Sequence, residues 1–246
     1  MPKIPDICVV MPAYNAERTL IQTYNDIPKD IVKTIILVDD KSHDETVKVA
    51  RDLGLIIFEH PVNRGYGGNQ KTCYRLALEQ GAGIVVMLHP DYQYDPKIMA
   101  KMVRPIIDGK ADIVLGSRML DGSALPGGMP LYKYAANKFL TWCENKVLGL
   151  DLSEYHTGYR AYSRRVLETL PFMKNSDNFV FDQEFLVQAV YFGFKIAEVA
   201  CPCKYMDDAS SISFKNSTVY GLSTLRTLAR YAAHKLCLKK SRFLES

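Results

Sequence analysis

The stretch Val85-Val-Met-Leu-His-Pro-Asp-Tyr-Gln-Tyr-Asp-Pro96 passes abruptly from an uncharged apolar run to residues suited to metal or phosphate chemistry. Residues 85–88 are typical of a strand that is covered on both faces in a parallel sheet. Polar side chains follow at the carboxyl end of this strand, where open α/β sheets bind their ligands. If the segment is extended, Asp91 and Gln93 leave the same side of the backbone and can converge on one ion or phosphate. The alternative is a polar loop before a helix, for which Asp95 is the predicted N-cap.

Strands and helices alternate on both sides of this stretch. Further strands are predicted at residues 7–11, 35–38, 55–58 and 113–115, with helical patterns between them. This alternation predicts an α/β fold with a mostly parallel central sheet flanked by helices. Several polar residues follow the predicted strands directly, so we expect one shared site at the carboxyl edge of the sheet. These residues are Asp39, Asp40, Asp91, Ser117 and Arg118.

The composition fits one large globular domain, or one domain with an appended subregion. The chain has 246 residues, of which 48% are hydrophobic and 24% charged, and a formal net charge of +4. It contains no nucleic-acid-binding motif, so we expect no nucleic-acid partner. The six cysteines are scattered, and we interpret them as reduced thiols of a cytoplasmic protein. The sequence contains neither a signal-peptide pattern nor the roughly 18 to 20 apolar residues that a membrane span needs.

The segment Asn63-Arg-Gly-Tyr-Gly-Gly-Asn69 is predicted to be a glycine-rich loop leading into a helix. Its glycines allow positive φ and a close approach of the backbone to a ligand, and Lys71 would point back toward the loop. The match to a dinucleotide-binding turn is poor, because the segment follows the third predicted strand rather than the first. A tight loop with a purely structural role explains the same residues.

The second half of the chain departs from the alternation. Residues 131–148 form a predicted helix that carries the only tryptophan, Trp142, as a core residue. Asp182 and Glu184 stand near the start of another predicted helix, where carboxylates also favour the helix dipole. A basic amphipathic helix is predicted from about Ser217. Its charged face is either solvated or in contact with an anionic membrane surface.

Five of these segments resemble, in their order, the motif series of inverting family 2 glycosyltransferases. They are Pro12-Ala-Tyr-Asn-Ala-Glu17, Val38-Asp-Asp40, the glycine-rich segment, Asp91-x-Gln93 and Gly116-Ser-Arg118. Within that family the sequence is most similar to the dolichol-phosphate and polyprenyl-phosphate sugar synthases, which implies a role in cell-envelope glycan biosynthesis. The resemblance covers the first 118 residues, with a looser likeness in Thr157-Gly-Tyr-Arg-Ala-Tyr-Ser-Arg164.

The resemblance implies a GT-A (Rossmann-like) nucleotide-diphospho-sugar transferase fold. We therefore predict a glycosyltransferase domain over residues 1–214, followed by a basic amphipathic helix and tail over 215–246. Within the domain, residues 1–118 would form the nucleotide-sugar half and residues 119–214 the acceptor half. The oligomeric state is not predicted.

The resemblance also implies roles for single residues. Pro12, Tyr14 and Glu17 would border the base and ribose, while Asp39 or Asp40 would hold the uracil or guanine edge by charge-assisted hydrogen bonds. Arg118, together with Arg160, would neutralise a phosphate of the donor or the acceptor. The full set of expected nucleotide-sugar contacts is Pro12, Ala13, Tyr14, Asn15, Glu17, Asp39, Asp40, Gly68, Asn69, Lys71, His89, Pro90, Asp91, Gln93, Ser117 and Arg118.

A divalent ion, Mg2+ or Mn2+, is implied as the cofactor. The family usually has Asp-x-Asp at the position where this chain has His89-Pro-Asp91, so one carboxylate is missing. A His89 ligand would favour Mn2+, because nitrogen suits that ion better. We favour Asp91 and Gln93 as the ligands, with His89 lining the site, because hard cations are usually held by oxygen.

The acceptor decides whether a general base is needed. A hydroxyl acceptor needs one, whereas a phosphate acceptor is already ionised near neutral pH and needs mainly positive charge. Asp182 is the better candidate base, and Arg160 and Glu184 are candidates for contact with the acceptor or its phosphate. Asp91, Asp182 and Arg118 are thus the predicted catalytic residues.

The predicted activity is transfer of a hexose from a UDP- or GDP-sugar to a polyprenyl or dolichyl phosphate, or to another lipid-linked or glycan acceptor. The enzyme would act in the cytoplasm or peripherally on the cytoplasmic face of the membrane. One alternative is a soluble glycosyltransferase acting on a hydroxyl of a saccharide or small molecule. Another is a non-catalytic nucleotide-sugar binding module.

Overall fold

The computed structural model describes residues 5–203, 214–237 and 240–244, without the side chains of residues 214–216. The strands are β1 (Ile7–Ala13), β2 (Thr34–Asp39), β3 (Ile56–Glu59), β4 (Ile84–Met87), β5 (Ile113–Ser117), β6 (Arg160–Ser163) and β7 (Ile196–Ala200). The helices are α1 (Leu20–Asp26), α2 (Thr46–Asp52), α3 (Gly65–Glu79), α4 (Met99–Ile107), α5 (Leu131–Leu148), α6 (Arg164–Thr169), α7 (Phe181–Tyr191) and α8 (Phe214–Lys235).

Strand β1 lies inside the sheet, and all seven of its residues are buried. Alternate side chains enter two different cores. Cys8 and Val10 pack with residues of α3 and α7 on one face, and Val9 and Met11 pack with residues of α1, α2 and α4 on the other. Since burial of a large aliphatic side chain contributes about 1.5 to 3 kcal/mol, an apolar run of this length is stable only between two helical layers.

The seven described strands form one sheet in the order β3-β2-β1-β4-β6-β5-β7. β6 runs antiparallel to both of its neighbours, β4 and β5, and the other described pairings are parallel. The predicted mostly parallel α/β sheet is therefore confirmed. The sequence did not predict β6, which is inserted between two strands that follow one another in the chain.

The reversed direction of β6 brings its first residue to the edge where the parallel strands end. Arg160 is paired with Met87 near the end of β4 and with Leu115 in β5. Side chains from the second half of the chain thus join the loops that follow β1, β2, β4 and β5.

Some expectations change with the structure. The predicted core position of Trp142 is wrong, because its side chain is 58% exposed. No described helix is both long and apolar enough to cross a bilayer. The domain limits remain a prediction, although β6 and β7 share the sheet of the first half. Residues 1–4 and 204–213 of the predicted domain and 238–239 and 245–246 of the predicted tail lie outside the described residues.

Candidate active site

A cleft of about 1480 Å³ runs along the carboxyl ends of β1, β2, β4 and β5. Fourteen of the predicted site residues line it, and they extend from the end of β1 to α7. They are Pro12, Ala13, Tyr14, Asn15, Glu17, Asp40, Asn69, His89, Pro90, Asp91, Gln93, Arg118, Arg160 and Asp182. Asp39, Gly68, Lys71, Ser117 and Glu184 do not belong to the lining.

The loops after β1 and β2 are locked together by hydrogen bonds between side chains and backbone. Asn15, which has a φ of 52°, accepts from the His43 amide at 2.9 Å. The carboxylate of Glu17 accepts from the Glu45 amide at 2.8 Å, and Thr46 Oγ1 accepts from the Ala16 amide at 2.7 Å. These bonds hold the cleft wall around Tyr14 in one geometry without using a charge pair.

The two adjacent aspartates at the end of β2, Asp39 and Asp40, have different surroundings. Both oxygens of Asp40 accept backbone hydrogen bonds, Oδ1 from Arg64 at 2.8 Å and Oδ2 from Gly65 at 2.9 Å. Asp40 Oδ1 also lies 2.8 Å from His60 Nδ1. Asp39 Oδ2 accepts from the Ser42 amide at 2.9 Å, whereas the buried Oδ1 of Asp39 has no hydrogen-bond partner among the described residues. Asp40 thus anchors the glycine-rich segment, and Asp39 keeps a free acceptor atom.

The glycine-rich segment is not a loop but the first turn of α3, which begins at Gly65. Its glycines make room for protein rather than for a ligand. A Cβ atom added at Gly67 would lie 2.4 Å from the backbone oxygen of Ser176 and 2.7 Å from Phe181 Cβ. The Gly67 amide donates to the oxygen of Asp177 at 2.8 Å. The expected close approach of this backbone to a ligand is therefore replaced by contact with the 176–177 turn.

Lys71 holds the same turn. Its ammonium group lies 2.6 Å from Asp177 Oδ1 and donates to the backbone oxygen of Asn175. Glu184 also belongs to this region, since Oε2 accepts from the Ser176 amide at 2.6 Å and Oε1 lies 3.4 Å from Arg230. The structure thus places Lys71 and Glu184 behind the cleft wall, where they fix the turn that α3 packs against.

The loop after β4 carries the candidate metal ligands. The extended backbone considered for this segment is wrong, because Tyr92 has a φ of 56° and Asp91 Oδ1 accepts from the Gln93 amide at 3.1 Å. Asp91 and Gln93 still reach the same cleft. The predicted capping role of Asp95 is confirmed by its bond from the Lys97 amide at 3.0 Å.

His89 belongs to a hydrogen-bonded chain that crosses the cleft floor. The Tyr66 hydroxyl donates a hydrogen bond to Asp182 Oδ2 at 2.7 Å, and His89 Nε2 lies 3.3 Å from the same hydroxyl. Since the hydroxyl has one proton, this contact requires His89 Nε2 to be the donor. Burial lowers the pKa of His89 more than the charges of Asp91 and Asp182 raise it. The ring is therefore neutral at neutral pH, with Nε2 already engaged.

Arg160 and Asp182 form a buried pair at 3.4 Å. Arg160 also donates to the backbone oxygens of Thr157 at 2.7 Å and Tyr155 at 3.1 Å. Gln70 donates to Asp182 Oδ1 at 3.1 Å, so both oxygens of Asp182 already have partners. Burial alone would lower the pKa of Arg160, but the charge of Asp182 raises it above the ordinary value.

Arg118 is paired with Glu154, a wholly buried residue that was not among the predicted site residues. Nε of Arg118 lies 3.0 Å from Glu154 Oε1, and the Arg118 amide donates to Oε2 at 2.8 Å. Burial would raise the pKa of Glu154, but the charge and hydrogen bonds of Arg118 lower it below the ordinary value. The neighbouring Ser117 contacts Ser153 Oγ at 2.6 Å.

Further lining residues were missed by reasoning from the sequence. Tyr66 lies inside the glycine-rich motif, and its ring is stacked on His89 at 5.5 Å. His156 Nδ1 lies 2.7 Å from the hydroxyl of Tyr220 on α8, and His156 Nε2 lies 3.0 Å from Glu144. The aromatic and polar composition of residues 155–163 was the available signal for His156.

The residues present suit a divalent ion only if a ligand completes its coordination. The described residues contain no cluster of three His, Cys, Asp or Glu side chains that could hold an ion alone. Asp91 has a second oxygen, Oδ2, with no hydrogen-bond partner among the described residues. One carboxylate with a neighbouring amide fits Mg2+, which proteins usually bind through one or two carboxylates and substrate phosphates.

Solved structures define the class of fold. Glucosyl-3-phosphoglycerate synthase of Mycobacterium tuberculosis, crystallised with Mn2+, UDP-glucose and phosphoglyceric acid, superposes with a TM-score of 0.70 at 19% identity. The match covers 93% of this chain and 80% of that one. Another crystal structure of the same synthase contains Mg2+ and UDP. The fold is therefore that of the GT-A glycosyltransferases.

The sequence assigns the chain to a family within that class. Residues 8–170 match glycosyl transferase family 2, so the chain belongs to this family and is a glycosyltransferase. An uncharacterized protein of Methanocaldococcus jannaschii is 32% identical over 220 residues, 89% of each chain. The UDP-N-acetylglucosamine–dolichyl-phosphate N-acetylglucosaminyltransferase of Methanococcus voltae is 30% identical over 181 residues, 67% of this chain and 72% of that protein.

Proposed function

We propose that this glycosyltransferase moves a hexose from a UDP- or GDP-sugar to a polyprenyl or dolichyl phosphate with inversion at the sugar carbon. The observation that carries the proposal is the state of Asp182. Both of its oxygens accept from protein donors, and Arg160 lies beside it. A carboxylate engaged in this way is a poor general base, and a phosphate acceptor needs none because it arrives ionised. The relative from M. voltae, named for transfer to dolichyl phosphate, supports the same acceptor class.

The donor would lie along the β1 and β2 loops. Asp39 does not line the cleft, although the adjacent Asp40 does. Oδ1 of Asp39 is buried without a hydrogen-bond partner among the described residues, which is costly unless a ligand that enters beside Asp40 supplies a donor. A ring N–H of uracil or guanine would supply it. Pro12, Tyr14 and Glu17 would then border the base and ribose.

Asp91 and Gln93 would hold Mg2+ or Mn2+, with His89 as a neighbour whose Nε2 is engaged by Tyr66. When bound, the ion would supply a Lewis acid that stabilises negative charge on the leaving diphosphate. Asp91 itself would orient the donor, while Arg118, paired with the buried Glu154, would line the same edge of the sheet without adding net charge.

The acceptor phosphate would enter from the side of α5. Lys133 lines the cleft there, and none of the described carboxylates forms an ion pair with it. Arg118 and Arg160 are already neutralised by Glu154 and Asp182. We therefore assign the acceptor phosphate to Lys133. Lys133→Gln should raise KM for a short isoprenyl phosphate about tenfold, by about 1.4 kcal/mol, while Lys101→Gln on α4 should not change it.

With such an acceptor the enzyme would act peripherally at the cytoplasmic face of a membrane. The basic helix α8 supports this location, because its sequence contains no Asp or Glu and Arg226 is exposed.

Two experiments test the proposed function. A thermal-shift screen of UDP- and GDP-sugars with and without Mn2+ should find one donor that raises the melting temperature most, because a tight ligand stabilises the folded state. Radiolabelled sugar from that donor should then partition into organic solvent when polyprenyl phosphate is present. Label that stays in water would contradict the acceptor.

The second candidate is a transferase acting on a hydroxyl of a saccharide or small molecule. It is favoured by the position of Asp182 in the cleft lining, where that carboxylate would act as the base. Asp182→Asn should then abolish turnover with a hydroxyl acceptor. If turnover stays within a few-fold, the base role is wrong. Membership of a glycosyltransferase family disfavours a non-catalytic binding module.

A further inference from the structure

Helix α5 has an inverted distribution of polar and apolar side chains. Three of its five buried residues are polar. The five are Asn137, Leu140, Thr141, Glu144 and Leu148. Its exposed face carries Leu131, Phe139 and Trp142, with 71%, 56% and 58% of their surface accessible. A surface helix normally turns its apolar stripe toward the core. The exposed stripe of α5 therefore needs an explanation other than folding.

The exposed residues Phe139 and Trp142 form an aromatic pair on the helix that packs beside α8. The rings of Phe139 and Trp142 are stacked, with centroids 6.4 Å apart. Phe139 lines the cleft together with Leu222 of α8, which is 64% exposed. We call Leu131, Phe139, Trp142 and Leu222 the α5–α8 apolar face.

The exposed charges that α5 and α8 themselves contribute to this face have one sign. Lys138 and Lys146 are exposed on the same side of α5. The only acidic residue of α5, Glu144, is wholly buried, and the α8 sequence contains no acidic residue. An apolar surface with an indole ring and flanking lysines is complementary to the interface of an anionic bilayer, where indole rings and cations are both favoured.

The face adjoins the entrance to the cleft. Tyr132, Phe139 and Leu222 belong to the cleft lining, so a surface that covers the face also meets the opening. We infer that the α5–α8 apolar face docks on an anionic lipid bilayer and turns the cleft toward an acceptor held in that bilayer. This inference rests on the proposed lipid-phosphate acceptor.

The single tryptophan provides a direct test. Vesicles of phosphatidylcholine and phosphatidylglycerol, without any polyprenyl phosphate, should sediment the protein and shift Trp142 fluorescence to shorter wavelength. Brominated lipid should quench that fluorescence. Protein that does not sediment, or that sediments with unchanged Trp142 emission, would overturn the inference.

A pair of matched variants distinguishes vesicle binding by the α5–α8 apolar face from nonspecific binding by other exposed apolar residues. Leu131→Ser with Trp142→Ser should weaken sedimentation about tenfold, because it removes the apolar area that the bilayer would cover. Ile56→Ser with Val62→Ser, at exposed apolar positions near the β3 edge of the sheet, should bind vesicles like the unchanged protein. Equal losses in both variants would overturn the inference, and melting temperatures would identify any unfolding.

The outcome is separable from that of the proposed function. Neither Leu131 nor Trp142 lines the cleft, so their variant should transfer sugar to a short water-soluble isoprenyl phosphate at the original rate. Docking without transfer would refute the proposed acceptor alone. Transfer without docking would refute this inference alone. If Trp142 emission shifts with protein concentration when no lipid is present, a second copy of the chain covers the face and the bilayer is the wrong partner.

Discussion

The two ends of the cleft satisfy their carboxylates by different means. At the β1–β2 end, Glu17 and Asp40 accept hydrogen bonds from backbone amides. At the β6–α7 end, Asp182 and Glu154 are held by arginine side chains. Amide donors fix a geometry and leave the total charge negative, whereas arginines also neutralise it. The first end is thus suited to a ligand that brings donors or cations, and the second is a neutral floor beneath the cleft.

The largest effect should follow from breaking the ion pair at the β6–α7 end. Arg160→Met leaves Asp182 buried beside an apolar side chain, which should lower the free energy of unfolding by about 3 to 5 kcal/mol. Urea unfolding would measure this. Arg164→Met is the control, because its pair with Glu168 is partly exposed and should contribute less than about 1 kcal/mol. Similar losses of unfolding free energy in both variants would mean that burial of the Arg160–Asp182 pair does not increase its effect on stability.

The β1–β2 end and the β6–α7 end of the cleft are connected where α3 packs against the 176–177 turn. Gly67→Ala places a methyl group against Ser176 and Phe181 and should destabilise the protein by about 1 to 3 kcal/mol. Gly221→Ala in α8 meets only Leu140, at an ordinary 3.7 Å, and should stabilise by up to about 1 kcal/mol. Thermal unfolding of both variants checks the sign. A neutral Gly67→Ala would mean that the turn moves freely away from α3.

At the β1–β2 end, substitutions of the adjacent residues Asp39 and Asp40 should have different effects, one on nucleotide binding and the other on stability. Asp40→Asn weakens the acceptor of three contacts and should cost about 1 to 3 kcal/mol of stability. Asp39→Asn should leave stability nearly unchanged and weaken binding of the nucleotide about tenfold, or about 1.4 kcal/mol. Calorimetric titration and urea unfolding measure the two effects. If Asp40→Asn instead weakens nucleotide binding and Asp39→Asn lowers stability, Asp40 is the residue that binds the base.

Acid should remove the stabilisation that the ion pair of Glu154 with Arg118 provides at the β6–α7 end of the cleft. The pKa of Glu154 is lowered in the folded protein by Arg118, so this pair contributes stability above the ordinary carboxyl pKa. That contribution is lost as the pH falls through the lowered pKa. Glu154→Gln should therefore reduce the dependence of unfolding free energy on pH in the acid range. An unchanged slope would mean that Glu154 and Arg118 are not coupled.

The sequence predicted most of the sheet because its parallel strands are uninterrupted apolar runs. β6 was missed because Arg160-Ala-Tyr-Ser163 is short and polar at both ends. Its pairing depends on β4 and β5, whose partner residues lie 45 or more positions away in the chain, as Leu115 does from Arg160. A local pattern contains no information about such a partner, so the position of Arg160 between two strand ends came only from the structure.

The site was predicted in part for the same reason. Residues that follow parallel strands must meet at one edge, and this rule located Asp40, Asp91 and Arg118. Glu154 could not be found in this way, because it precedes no helix, follows no strand and acts through Arg118, 36 residues away. Nor can a sequence distinguish a glycine that admits a ligand from one, such as Gly67, that admits another part of the protein.

The central claim is that the cleft delivers a sugar to a lipid-linked phosphate with Asp91 as the residue that orients the donor. The most direct measurement is transfer of radiolabelled sugar from the stabilising donor to polyprenyl phosphate, compared between the unchanged protein and Asp91→Asn. We expect label in the organic phase, reduced at least about a hundredfold in the variant, or by about 2.7 kcal/mol. Label that remains in water with the unchanged protein, or equal transfer by the variant, would contradict the account.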